Sequence, residues 1–92
     1  MNAHVEGRLI RIQGTVQGVG FRPWIYRIAR SAGISGSVRN DSSGVTIEAF
    51  GSEPALGQFI AALDFPPPAA RIFAVDCSEL SGDCPARFAW AS

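Results

Sequence analysis

Lysine is absent from these 92 residues, and all eight basic side chains are arginines. That removes Schiff-base nucleophiles and the lysine of nucleotide-binding phosphate loops. Histidine occurs once, as His4 close to the amino terminus, which argues against a histidine-based triad and against a multi-histidine metal site. Only two cysteines occur, Cys77 and Cys84, seven positions apart. This spacing belongs to neither a zinc pair nor a redox pair, so they read as reduced thiols. No apolar run approaches the length of a membrane span. The first residues show neither a basic start nor a hydrophobic stretch, so no secretory signal is read and the cytoplasm is the expected compartment. Neither sign of charge is in excess, eight acids balancing eight bases, which argues against a broad nucleic-acid footprint or a polybasic membrane contact. The chemistry left to the chain must use arginine, amides, hydroxyls or carboxylates.

What is there is an ordinary globular composition, 47% apolar and 17% charged, enough for one core and one domain spanning residues 1–92, with residues 1–6 expected to fray. No repeat or linker divides it. From Arg8 to Val16 residues alternate, with Ile10, Ile12, Gly14 and Val16 on one side, which predicts a half-buried strand. Phe21, Ile25, Ile28, Ala29 and Ala32 draw one apolar stripe, which predicts a helix over Arg22 to Ala32, with Pro23 in its first turn and Gly33 just past its end. Ser35 to Asn40 and Val45 to Ala49, where Val45, Ile47 and Ala49 alternate with Thr46 and Glu48, are joined by Asp41-Ser42-Ser43-Gly44 and predict a hairpin. Ser52 is placed to cap a second helix carrying Leu56, Phe59, Ile60 and Leu63, and Pro66-Pro67-Pro68 is expected to stop it. A strand over Arg71 to Glu79 comes next, and the segment from Ala86 to Ala91 offers either a short fifth strand at the edge or, through Phe88 and Trp90, only a cover for the core. The order is βαββαβ. Right-handed crossovers then place both helices on one face of an antiparallel sheet, an α+β sandwich of ferredoxin-like topology.

Between the first strand and the first helix lies Val16-Gln17-Gly18-Val19-Gly20-Phe21-Arg22-Pro23. Glycine steps let successive N–H groups converge, a helix starting there adds the positive end of its dipole, and Arg22 adds a planar fork that fits phosphate oxygens. A glycine-rich loop alone is more often a plain turn, and Asn40 alone is more often a turn former before Asp41. Arg22 is harder to explain that way, because a cation is unfavourable beside the positive end of a helix unless an anion offsets it. Arg22 and Asn40 together suggest phosphoryl chemistry. Arg39 reads as a wet-face residue, Trp24, Tyr26 and Trp90 as packing residues, and Asp41, Ser42 and Ser43 as turn chemistry.

Gly14-Thr15-Val16-Gln17-Gly18-Val19-Gly20-Phe21-Arg22, then Gly36-Ser37-Val38-Arg39-Asn40, then Gly44-Val45, resemble the acylphosphatase family over nearly the whole chain. The resemblance implies that the loop Gln17, Gly18, Val19, Gly20, Phe21 and Arg22 binds phosphate, that Arg22 grips it, and that Asn40 holds the attacking water. Arg22-Pro23-Trp24 and Pro66-Pro67-Pro68-Ala69-Ala70-Arg71-Ile72 are similar, more narrowly, to the N-terminal domain of HypF-type carbamoyltransferases that mature nickel-iron hydrogenases. The chain departs from the family in having Ser43 where aspartate often precedes the hairpin glycine.

The resemblance implies hydrolysis of carboxyl-phosphate anhydrides, carbamoyl phosphate among them, with no metal, no cofactor and no covalent intermediate. It also implies further domains of the same polypeptide as partners, and neither nucleic acid nor membrane. The chemistry suits the residues: a carboxylate or carbamate leaves without a strong general acid, so charge neutralisation and placement of a water suffice. Two alternatives stay open, a module that captures phosphate or carbamoyl phosphate without turning it over, and a free-standing acylphosphatase.

Overall fold

Alternation in the first segment becomes strand β1, Glu6–Thr15, whose Ile10 and Ile12 side chains are buried while Arg11 and Gln13 face out. The computed structural model describes residues 5–16 and 20–80 together with the backbone of 88–90. Helix α1, Phe21–Ala32, buries Phe21, Trp24, Ile25 and Ala29 and leaves Arg27 and Arg30 exposed. Gly33 ends it at φ 75, the left-handed conformation that glycine adopts without a Cβ penalty. Strand β2, Ser35–Asn40, and strand β3, Gly44–Gly51, form the expected hairpin. Ser52 caps helix α2, Glu53–Ala62, by accepting the Ala55 N–H at 3.3 Å. The helix stops before the prolines, because Leu63, Asp64 and Phe65 donate instead to Ile60, Ala61 and Ala62 and so tighten the last turn. Strand β4, Arg71–Glu79, and a short β5, Phe88–Trp90, complete the chain.

The sheet order is β4-β1-β3-β2-β5. Ile10 pairs with Ile47 and Ile12 with Val45, so the buried positions of β1 and β3 share the face against which both helices pack. Val38 of β2 joins that row opposite Ile47. The core unites these strand residues with Phe21, Ile25 and Ala29 of α1 and with Leu56, Phe59 and Leu63 around α2. Burial of each of the larger side chains contributes about 2 kcal/mol.

Three expectations change. The sheet is mixed, because β5 runs parallel to β2, with Gly36 opposite Phe88 and Val38 opposite Trp90. Glu6, inside the stretch expected to fray, belongs to β1: it pairs with Gly51, and its Oε1 accepts a hydrogen bond from Arg8 Nη2 at 2.8 Å. Met1 to His4 lie outside the described residues. Finally, β3 is buried on both faces rather than alternating, with Thr46 at 7% and Phe50 at 5% exposure. Phe50 finds room over Gly7, where an added Cβ would stand 2.8 Å from its ring. Edge strand β4 is the reverse, since Phe73 and Val75 remain exposed, as does Phe65 just after α2.

Candidate functional site

Strand direction decides what meets at one end of the sheet. β1 runs antiparallel to β3, and β3 runs antiparallel to β2, so the last residue of β1, the first of β3 and the last of β2 share that end. Thr15, Gly44 and Asn40 are therefore neighbours in the fold, and the connection into α1 leaves from the same place. Asn40 pairs with Val45, a core residue on the helix-covered face. Since side chains alternate along a strand, Asn40 belongs to that face as well, although its side chain is exposed at the sheet end. Arg22, the second residue of α1 and half-buried, lies at the helix start that follows this end of β1.

Gly20 precedes the helix at φ 77, ψ 17, and its carbonyl accepts the Trp24 N–H at 3.1 Å, closing the first turn. Among the described residues nothing lies within 4 Å of where its Cβ would be, so its left-handed backbone conformation is what selects glycine there. Gly20 has no side chain with which to cap the helix, and the first turn, Phe21-Arg22-Pro23-Trp24, contains no acid. Phe21 is buried, its ring 5.1 Å from that of Trp24 at 52°, so only its main chain is available to a ligand. Gln17, Gly18 and Val19 lie outside the described residues.

The hairpin turn is densely bonded. Asp41 N–H donates to the Gly44 carbonyl at 2.9 Å. Its carboxylate Oδ1 accepts the N–H groups of Ser43 at 2.9 Å and Gly44 at 2.8 Å and the Ser43 hydroxyl at 3.3 Å, and Oδ2 accepts the Thr46 hydroxyl at 2.8 Å. The Thr46 hydroxyl, then the Ser43 N–H, hold the Asp41 carboxyl below its ordinary value. The turn also reaches β1, because Gly14 N–H donates to the Ser43 carbonyl at 3.0 Å. A cavity of 230 Å³ opens between the two segments, lined by Gly14, Thr15, Val16, Ser42, Ser43 and Gly44.

The arrangement thus brings Arg22, Gly20 and Asn40 to one end and one side of the sheet. Sequence reasoning assigned Asp41 to the turn but missed its grip on Thr46, five residues on and buried in the neighbouring strand. The signal was present: a hydroxyl at that spacing on a strand is reachable by a carboxylate at the start of a tight turn. Asp41 also answers the departure at Ser43, because the carboxylate that stiffens the turn comes from its start instead. Cys77 carries a free, exposed thiol, and Cys84 lies outside the described residues. Among the described residues no three His, Cys, Asp or Glu side chains gather where a metal ion could be held, and no helix is long and apolar enough to cross a membrane.

Comparison with known proteins points one way. The family model described as Acylphosphatase matches residues 9–89. A carbamoyltransferase HypF of Rhodobacter capsulatus is 52% identical over 68 residues, which are 73% of this chain and 9% of that protein. An acylphosphatase of Thermotoga maritima is 45% identical over 71 residues, 76% of this chain and 79% of that one. The crystal structure of a full-length HypF in a phosphate- and nucleotide-bound form superposes with a TM-score of 0.93 at 33% identity, over 100% of this chain and 12% of that one. The chain therefore spans about a tenth of the length of its carbamoyltransferase relatives and most of the length of a free-standing acylphosphatase.

Proposed function

This chain belongs to the acylphosphatase family, and from that premise we propose that it hydrolyses carboxyl-phosphate anhydrides, carbamoyl phosphate among them, in the cytoplasm as the N-terminal part of a hydrogenase-maturation carbamoyltransferase. The observation that carries the reading is Arg22. It stands in the first turn of a helix that has no acid there, at the sheet end where Asn40 also terminates on the helix-covered face. A guanidinium and the positive end of a helix both attract a dianion, so placing the two together favours anion binding there.

In the proposed reaction, Arg22 and the main-chain N–H groups of residues 17–22 neutralise the phosphoryl oxygens. The Asn40 amide, able to donate and accept, orients a water in line with the bond to the leaving carboxylate. The O–P bond to the acyl oxygen breaks with its electron pair passing to the carboxylate or carbamate, while the water oxygen bonds to phosphorus. Asparagine is a poor base, so a substrate phosphate oxygen takes the proton. No metal enters these steps.

The test is phosphate release from acetyl, benzoyl and carbamoyl phosphate by the purified chain in the presence of a chelator. Turnover of all three is expected, with inorganic phosphate as a competitive inhibitor. Binding of phosphate without release of product would replace the reading with capture of the acyl phosphate for neighbouring domains. That second reading is favoured by the small fraction of a carbamoyltransferase that the chain spans.

A further inference from the structure

We infer that Asp41 is a positioning residue for this hydrolysis: its carboxylate fixes the hairpin turn so that Asn40 is presented to the water while the end of β1 is held at a set place beside it. The inference rests on the role proposed for Asn40, and its geometry stands independently of that role.

Asn40 is the last residue of β2, so no later strand residue restrains its side chain. Its neighbour in the chain is Asp41, and the two oxygens of that carboxylate do separate work. Oδ1 gathers the N–H groups of Ser43 and Gly44 and the Ser43 hydroxyl, which winds the turn tightly back on itself. Oδ2 reaches into β3 to the Thr46 hydroxyl. Thr46 pairs with Arg11 on one side and Arg39 on the other, both exposed, so it belongs to the open face, opposite Val45 and Asn40. The anchor of the clamp is therefore on the other side of the sheet from the residue it serves. This resolves an electrostatic conflict: an acid next to a residue that attends a dianion would repel it, but here one carboxylate oxygen is turned to the far face and the charge is shared with donors of Ser43, Gly44 and Thr46.

The same clamp extends to the other half of the site. Once the turn is wound, the Ser43 carbonyl is aimed at the Gly14 N–H, 3.0 Å away, and Gly14 lies just ahead of the connection that leads to Gly20 and Arg22. Loss of the carboxylate would leave the Ser43 and Gly44 N–H groups and the Thr46 hydroxyl to find other acceptors, and the turn would have no single shape.

The test is a set of variants assayed with benzoyl phosphate, with folding checked by circular dichroism and the urea midpoint. In folded Asp41→Ala, kcat is expected to fall about tenfold or more while inhibition by inorganic phosphate stays within about twofold, the pattern of a group used after binding. Asp41→Asn is expected to recover most of the rate, since its carbonyl oxygen still accepts both N–H groups and its amide can donate to Thr46. In the Asn40→Ala background, Asp41→Ala is expected to cost no further rate, because residues acting as one unit are not additive. Should Asp41→Ala not fold, Thr46→Val removes one strand of the clamp, and a lowered kcat with parental phosphate inhibition is expected. A parental kcat in folded Asp41→Ala, or in Thr46→Val when that variant carries the test, overturns the inference. So does a full multiplicative loss in the double variant. Asn40→Ala turning over at the parental rate would instead remove the water-holding role, whatever Asp41→Ala does.

Discussion

Two segments meet at one end of the sheet, and they treat negative charge in opposite ways. The turn from Asp41 to Gly44 brings its own carboxylate, which its N–H groups and two hydroxyls surround. The start of α1 brings none: its cap is a glycine, its first turn has no acid, and its second residue is an arginine. One segment carries its own anion, whereas the other is the part for which we propose an anion from outside. A dense hydrogen-bond inventory therefore marks the hairpin turn, and an acid-free first turn marks the start of α1.

The contrast can be broken most severely at Arg22. Arg22→Ala is expected to cut turnover of benzoyl phosphate by about 10²-fold to 10³-fold, the usual effect of removing one transition-state donor, and to abolish inhibition by inorganic phosphate. Steady-state kinetics that showed phosphate still competing at its parental concentration would refute the assignment. The two glycines at the borders of these segments sharpen the comparison next. A Cβ at Gly44 would run into the Ile12 carbonyl oxygen of the adjoining strand, so Gly44→Ala is expected to cost more than about 2 kcal/mol. Gly20 has open space around it and only a left-handed φ of 77 to lose, so Gly20→Ala is expected to cost about 1 kcal/mol. Urea titrations of the two variants should rank them in that order.

The smallest effect expected is on acid stability. Asp41 has a folded-state pKa below its ordinary value of 3.8, so its stabilisation is fully present above that value and lost as pH falls through the folded-state one. Asp41→Asn does not titrate. The difference in urea midpoint between parent and Asp41→Asn should narrow from pH 7 to pH 3, and an unchanged difference would show that the carboxylate charge contributes nothing to folding.

Much of the fold was legible because local signals agreed. The stripe on α1, the Ser52 cap with Pro54, and β2 from Ser35 to Asn40 each carry their own chemistry in a few adjacent residues. Three features needed the tertiary structure. The parallel pairing of β5 depends on where the chain arrives after β4, which no local pattern encodes. The burial of Thr46 and Phe50 depends on partners elsewhere, Asp41 for one and the bare Gly7 for the other. The run Ile72-Phe73-Ala74-Val75 is as apolar as a core strand, yet at the sheet edge Phe73 is 75% exposed. At the proposed site, Arg22 stood out in the sequence because a cation in a first helical turn conflicts with the dipole. Asn40 drew attention only in company with Arg22. The reach of Asp41 to Thr46 had a signal in the spacing but was passed over, because turn and strand propensities are read separately, whereas this bond spans both.

The Gly14–Ser43 hydrogen bond carries a consequence for protein engineering. It stitches the end of β1, which leads into the proposed anion-binding segment, onto the tip of a hairpin more than twenty-five residues further along. Transplanting the glycine loop alone into another βα unit would leave its entry point untethered, so a graft would have to carry both pieces, with the β1–β3 pairing that keeps them abreast.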